Sequence, residues 1–127
     1  MMEKGGCLCG AVAFEFDADP DRVIACHCRQ CRRQSGHYFS AVSASKAGLR
    51  FGRDDGLKWY RASDIARRGF CGTCGSTLFW WPDEGPVTMV AMGSLEAPTG
   101  LRLGGHYWVN AKGDYYDIAD GLPQEDR

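Results

Sequence analysis

Residues 7–16 read Cys7-Leu8-Cys9-Gly10-Ala11-Val12-Ala13-Phe14-Glu15-Phe16. Val12, Phe14 and Phe16 alternate with Ala11, Ala13 and Glu15, the period of a strand with one buried face. Cys7 and Cys9 stand two apart at its start, and on a regular strand that spacing turns both thiols to one side. Gly5, Gly6 and Gly10 let the backbone bend there.

Outward from this strand, turns and short apolar runs repeat. Asp17-Ala18-Asp19-Pro20-Asp21 reads as a turn, and Val23-Ile24-Ala25 as a short strand leading to Cys26. Residues 38–42, 48–51 and 57–61 read as strands, with Asp54-Asp55-Gly56 turning between the last two. Residues 77–81 are apolar and aromatic and stop at Pro82, and 87–92 read as a further buried strand. The tail supplies aromatic segments at 106–109 and 115–118. No amphipathic helix longer than about two turns is evident, and strands spaced about 8–12 residues apart argue for an all-β domain.

A length of 127 residues fits one domain, and 44% hydrophobic with 24% charged residues excludes a disordered chain. No apolar run approaches the roughly 20 residues that span a bilayer, and Met1-Met2-Glu3-Lys4-Gly5-Gly6 lacks the apolar core of a signal peptide. A cytoplasmic protein is expected, with no membrane partner. In that compartment thiols stay reduced, which favours metal binding or catalysis over disulfides. Eleven Lys/Arg against three Asp/Glu fall between Arg22 and Arg68, whereas the remainder carries four against thirteen. A basic rim that receives a small anion is one consequence, two solvated surfaces the other. A pI near 6.3 argues against nucleic acid.

The seven cysteines fall into Cys7/Cys9, Cys26/Cys28/Cys31 and Cys71/Cys74. Disulfides alone would leave one over. A four-thiolate zinc site on the outer pairs, with an open three-thiolate site on Cys26, Cys28 and Cys31, leaves none without a role. Two alternatives stay open at this point. A zinc ribbon would pair Cys28-x-x-Cys31 with Cys71-x-x-Cys74, and a redox dithiol would use Cys28 and Cys31. His27, between two candidate ligands, reads as pointing away from them, beside the site or exposed. His37 reads as a surface residue and His106 as structural.

Gly6-Cys7-Leu8-Cys9-Gly10-Ala11-Val12, then CHCRQCRRQSG at 26–36, FCGTCGS at 70–76 and Asp120-Gly121-Leu122-Pro123 together resemble the glutathione-dependent formaldehyde-activating enzyme family, which includes centromere protein V-like members. The resemblance covers nearly the whole chain and implies one zinc-binding domain over 1–127 with a β-tent fold of coiled antiparallel sheets. It implies a structural zinc on Cys7, Cys9, Cys71 and Cys74, and a catalytic zinc on Cys26, Cys28 and Cys31. Tyr115 or Tyr116 stands where a Trp is common in the family. The implied activity is a zinc-dependent carbon–sulfur lyase or synthase that joins glutathione and formaldehyde as S-hydroxymethylglutathione or acts on a related adduct. A metal with an open position suits it, because a bound thiol is held as thiolate at neutral pH. Arg29, Arg32 and Arg33 are expected to offset the anionic site or bind the carboxylates of glutathione. The three-cysteine site is expected to lose zinc or oxidise more readily than the other. A zinc module that binds a partner without catalysis is the alternative function.

Overall fold

The computed structural model describes residues 1–127. Its spine is β2 (Ala13–Cys26), fourteen residues whose buried positions alternate on even numbers as far as Ala18 and on odd numbers from Val23. Val12, Phe14, Phe16 and Ala18 turn into the core, with Val12 and Phe16 fully buried. The expected turn at 17–21 is therefore corrected: those residues lie inside β2. Pro20 has no N–H to give the ladder, Asp21 N–H bonds Asp19 Oδ1 at 3.0 Å, and the register with the next strand shifts between Ala18 and Val23. The turn-forming residues bend the strand instead of reversing it.

The bend gives β2 two sets of neighbours. Its first half pairs antiparallel with β1 (Met2–Gly6) and with β4 (Arg50–Arg53). Its second half pairs antiparallel with β3 (Phe39–Ser45) and, in parallel, with β9 (Gly105–Tyr107). From β3 the sheet continues through β8 (Val87–Ala91), β7 (Thr77–Pro82), β6 (Ala66–Cys71) and β5 (Leu57–Arg61). The protein is thus mostly β, with one short helix, α1 (Arg29–Ser35), between β2 and β3. One parallel pair interrupts an otherwise antiparallel arrangement.

One further expectation, a strand that starts at Cys7, is corrected. Residues 7–12 are a loop between β1 and β2, and the strand with β period begins at Ala13. Residues 2–6 pair with 13–17, although Met-Glu-Lys-Gly-Gly shows no alternation to read. The aromatic segment 115–118 is not a strand: Tyr115 and Tyr116 pack against His37.

Two apolar clusters organise the interior. The larger joins Phe14, Phe16, Val42, Leu78, Phe79 and Val90 and includes Cys71. The smaller joins Phe39, Ala41, Met89 and Ala91 and includes Cys31. Each group of thiols is rooted in one of these clusters. No helix is long and apolar enough to cross a membrane.

Candidate metal centres

The β1–β2 loop and the β6–β7 loop come together although 62 residues separate Cys9 from Cys71. Leu8 N–H donates to Ser76 Oγ at 3.0 Å across the two loops. The β4–β5 turn wedges beside them, with Gly56 N–H on Ala11 O at 3.1 Å and Gly72 N–H on Gly56 O at 2.7 Å. A Cβ at Gly56 would stand 2.8 Å from Ala11 Cβ and 2.9 Å from Cys71 Sγ. Glycine is needed there because the Ala11 methyl and the Cys71 thiol approach too closely for any side chain.

At this junction the sulfurs of Cys7, Cys9, Cys71 and Cys74 all lie within 4.8 Å of one another. Cys7 Sγ and Cys9 Sγ are 3.7 Å apart, and Cys9 Sγ and Cys71 Sγ 3.8 Å. Bonds of about 2.3 Å from a tetrahedral zinc would set edges of roughly 3.8 Å. The four thiols are free, not paired as disulfides. Val12 N–H donates to Cys7 Sγ at 3.2 Å and Cys74 N–H to Cys71 Sγ at 3.5 Å. The Ser76 hydroxyl, 3.2 Å from Cys74 Sγ, holds that thiol down to about 5. Donor identity, spacing and acceptor character all fit a divalent ion of zinc type.

The second group forms where β2 ends and α1 begins. Cys26 is the last residue of β2, Cys28 is the N-cap of α1, and Cys31 lies in its first turn. Cys28 Sγ accepts Cys31 N–H at 3.3 Å and so starts a helix that RQCRRQS shows by no apolar period. A sulfur in this role replaces the usual Ser, Thr or Asp oxygen. The sulfurs of Cys26, Cys28 and Cys31 also lie within 4.8 Å of one another. Hydrogen bonds from Cys26 and Cys31 hold the Cys28 thiol far below its ordinary value, while the same contacts push Cys26 up. Three sulfurs within this reach of one another can hold a cation.

The three arginines of this stretch differ in exposure. Arg29 and Arg33 are exposed and pair with no carboxylate, and Arg32 is half-buried with its Nε unpartnered. The guanidinium that touches a sulfur belongs to Arg68 of β6, 2% exposed, whose Nη2 lies 3.1 Å from Cys31 Sγ. Its one signal in the sequence is weak: Arg68 shares strand parity with buried Ala66.

His27 is fully buried rather than exposed, and begins a polar chain. Its Nδ1 meets the Tyr116 hydroxyl, its Nε2 lies 2.8 Å from His106 Nδ1, and His106 Nε2 lies 2.8 Å from Asp120 Oδ2. His106 holds the Asp120 carboxyl below the usual range, so His106 Nε2–H donates to it. That fixes the remaining tautomers: His27 Nε2–H donates to His106, and Tyr116 O–H donates to His27. Burial above all lowers His27 to about 4, which keeps it neutral. His37, as expected, is exposed.

Three comparisons with known proteins bear on the chain. The fission yeast Schizosaccharomyces pombe has an uncharacterized lyase 30% identical over 118 residues, 92% of this chain and 85% of the yeast one. A crystal structure of a Rhodobacter sphaeroides protein superposes with a TM-score of 0.66 over 95% of this chain and 98% of that one, at 24% identity, which speaks for the fold alone. The family model described as glutathione-dependent formaldehyde-activating enzyme matches residues 2–111, a span that contains both thiol groups. The chain belongs to the glutathione-dependent formaldehyde-activating enzyme family.

Proposed function

We propose that the protein is a zinc-dependent carbon–sulfur lyase or synthase acting on a thiol adduct, S-hydroxymethylglutathione or a close relative. The observation that carries this is the division of seven free thiols into a set of four and a set of three, each within 4.8 Å. Cys7, Cys9, Cys71 and Cys74 would hold a structural zinc that staples the β-tent. Cys26, Cys28 and Cys31 would hold a second, more labile zinc with a position left for a thiol. Zinc there would supply Lewis acidity and hold the sulfur of the substrate as thiolate. The family description supports glutathione and formaldehyde, and the yeast relative supports the lyase class.

The chain's own groups do the remaining work. α1 fixes Cys28 and Cys31 through one N–H···S bond, and β2 fixes Cys26 by its pairing with Phe39. The His27–His106–Asp120 chain locks the peptide between Cys26 and Cys28, because His27 cannot turn without leaving buried nitrogens unpaired. Arg32, with a buried and unpartnered Nε, is the arginine of the three best suited to receive a substrate carboxylate directly. Arg29 and Arg33 would act from the rim by their charge. We read residues 1–127 as one domain, working on thiols kept reduced in the cytoplasm.

Metal content together with adduct turnover tests this reading. Two zinc ions per chain are expected, one in Cys28→Ser with the fold retained. NMR should show faster interconversion of glutathione, formaldehyde and their adduct than the uncatalysed background, and Cys28→Ser should return it to that background. One zinc in the wild type, or wild-type turnover in Cys28→Ser, would sink the proposal.

A further inference from the structure

Arg68 is buried, charged and without a carboxylate partner. Nε donates to Gln30 Oε1 at 2.8 Å, Nη1 to Gln34 Oε1 at 3.3 Å, and Nη2 to Cys31 Sγ at 3.1 Å. The guanidinium also lies over the Phe39 ring, 5.5 Å from its centre. Both amides are tied so that they present oxygen: Gln30 Nε2 donates to Ala62 O and Gln34 Nε2 to Thr77 Oγ1, each at 3.1 Å. Three acceptors from α1 are thus aimed at one cation from β6. A buried charge needs a counter-charge, and the only anions this arrangement provides are the thiolates of Cys26, Cys28 and Cys31.

The four-cysteine group has no such partner. The donors on its sulfurs are the N–H groups of Val12 and Cys74 and the hydroxyl of Ser76, all neutral. With a divalent ion the two groups therefore differ in charge. Four thiolates give −2. Three thiolates give −1, and Arg68 brings that to zero. An anionic fourth ligand at the three-cysteine site then leaves −1, where without Arg68 it would leave −2.

We infer that Arg68 is a positioning residue that orients Cys31 and, by its fixed charge, reserves the open place beside Cys26, Cys28 and Cys31 for a thiolate over a neutral donor. This deepens the proposed function and rests on the reading that the three thiols hold a divalent metal. The arginines that follow Cys28 in sequence are not needed for the bias.

The test uses the full chain loaded with Co²⁺ and read by its visible absorption, titrated with 2-mercaptoethanol as an uncharged thiol and with imidazole as a neutral donor. The thiol binds as thiolate and gives its proton to the buffer. Arg68→Gln is expected to weaken thiol binding roughly tenfold or more, the order of one lost charge at several ångströms, and to change imidazole binding less than about twofold. Cobalt at the four-cysteine site should be unchanged. Arg68→Lys, which keeps the charge and loses the fork, should keep the thiol-to-imidazole ratio. Gln34→Glu sets a carboxylate against Nη1 and cancels the charge with the guanidinium in place, so it should lower the ratio even where Arg68→Gln does not fold. An unchanged ratio in Arg68→Gln or Gln34→Glu, or an equal loss of both ligands, overturns the role. One cobalt per wild-type chain refutes the metal reading itself and is distinct from two cobalts with an unshifted ratio.

Discussion

The two thiol groups answer different problems. Cys7, Cys9, Cys71 and Cys74 join loops that are far apart in sequence, and Cys71 sits at the floor of the main core. Cys26, Cys28 and Cys31 come from one short stretch, and their geometry is set locally by a strand end and a helix cap. Closing a long loop by a metal contributes most to stability. A site built within six residues closes almost nothing, and so is free to keep an unsatisfied position. On the proposed reading the first group holds the topology and the second presents chemistry.

The sharpest way to break this comparison is to remove one sulfur from each side. Cys71 is fully buried in the larger apolar cluster and ties two hairpin loops. Cys71→Ser is expected to lower stability by more than about 4 kcal/mol and abolish a cooperative melt. Cys28→Ser should keep the melt and lose one metal ion. Equal losses in thermal unfolding would mean that the two groups share one role.

Acid should separate them next. His27 is fully buried and held to about 4, below the ordinary value near 6.5. Between those values the unfolded chain takes a proton that the folded chain refuses. Stability contributed by neutral His27 is therefore complete above about pH 6.5, falls as the pH drops towards 4, and falls no further below it, by about 3 kcal/mol in all. Asp120, held low by His106, adds acid sensitivity only below the usual carboxylate range. The difference in melting temperature between wild type and His27→Gln, measured from pH 7 to 4.5 at equal metal load, should narrow steadily. A constant difference would show that folding leaves the His27 pKa unshifted.

Gly56 tests the other side by about 1–3 kcal/mol, the usual cost of overpacking. An added Cβ would press on Ala11 Cβ and Cys71 Sγ, so Gly56→Ala should weaken metal at the four-cysteine group and leave the three-cysteine group loaded. Metal stoichiometry with a competing chelator reads this directly.

Much of this was legible in the chain. The alternation of Val12, Phe14 and Phe16 revealed the spine, whereas the spacing of the cysteines left a zinc ribbon open beside the division into four and three that the folded chain brings together. Asp17 to Asp21 misled, because turn-forming residues also suit a bent edge where Pro20 interrupts a ladder. The helix at Cys28 was invisible, since a thiol cap and six polar or basic residues around Cys31 carry no apolar period. Arg68 and the His27–His106–Asp120 chain were hidden for a different reason. Their partners lie 37 residues away for Cys31 and Arg68, and 79 for His27 and His106, so only the folded sheet brings them together.

The smallest effect distinguishes contact from field at the three-cysteine site. Arg29 and Arg33 are exposed and unpaired, whereas Arg32 buries an unpartnered Nε. Arg29→Gln and Arg33→Gln should each alter stability by less than about 0.5 kcal/mol. A charge acting through solvent is screened over about 3 Å in 1 M salt. Their effect on KM for the glutathione adduct should therefore be under about threefold at low salt and vanish at 1 M. Arg32→Gln should raise KM at both ionic strengths, because a desolvated contact is screened far less. A salt-independent effect at Arg29 or Arg33 would move the carboxylate contact to the rim and leave the buried Nε of Arg32 without a use.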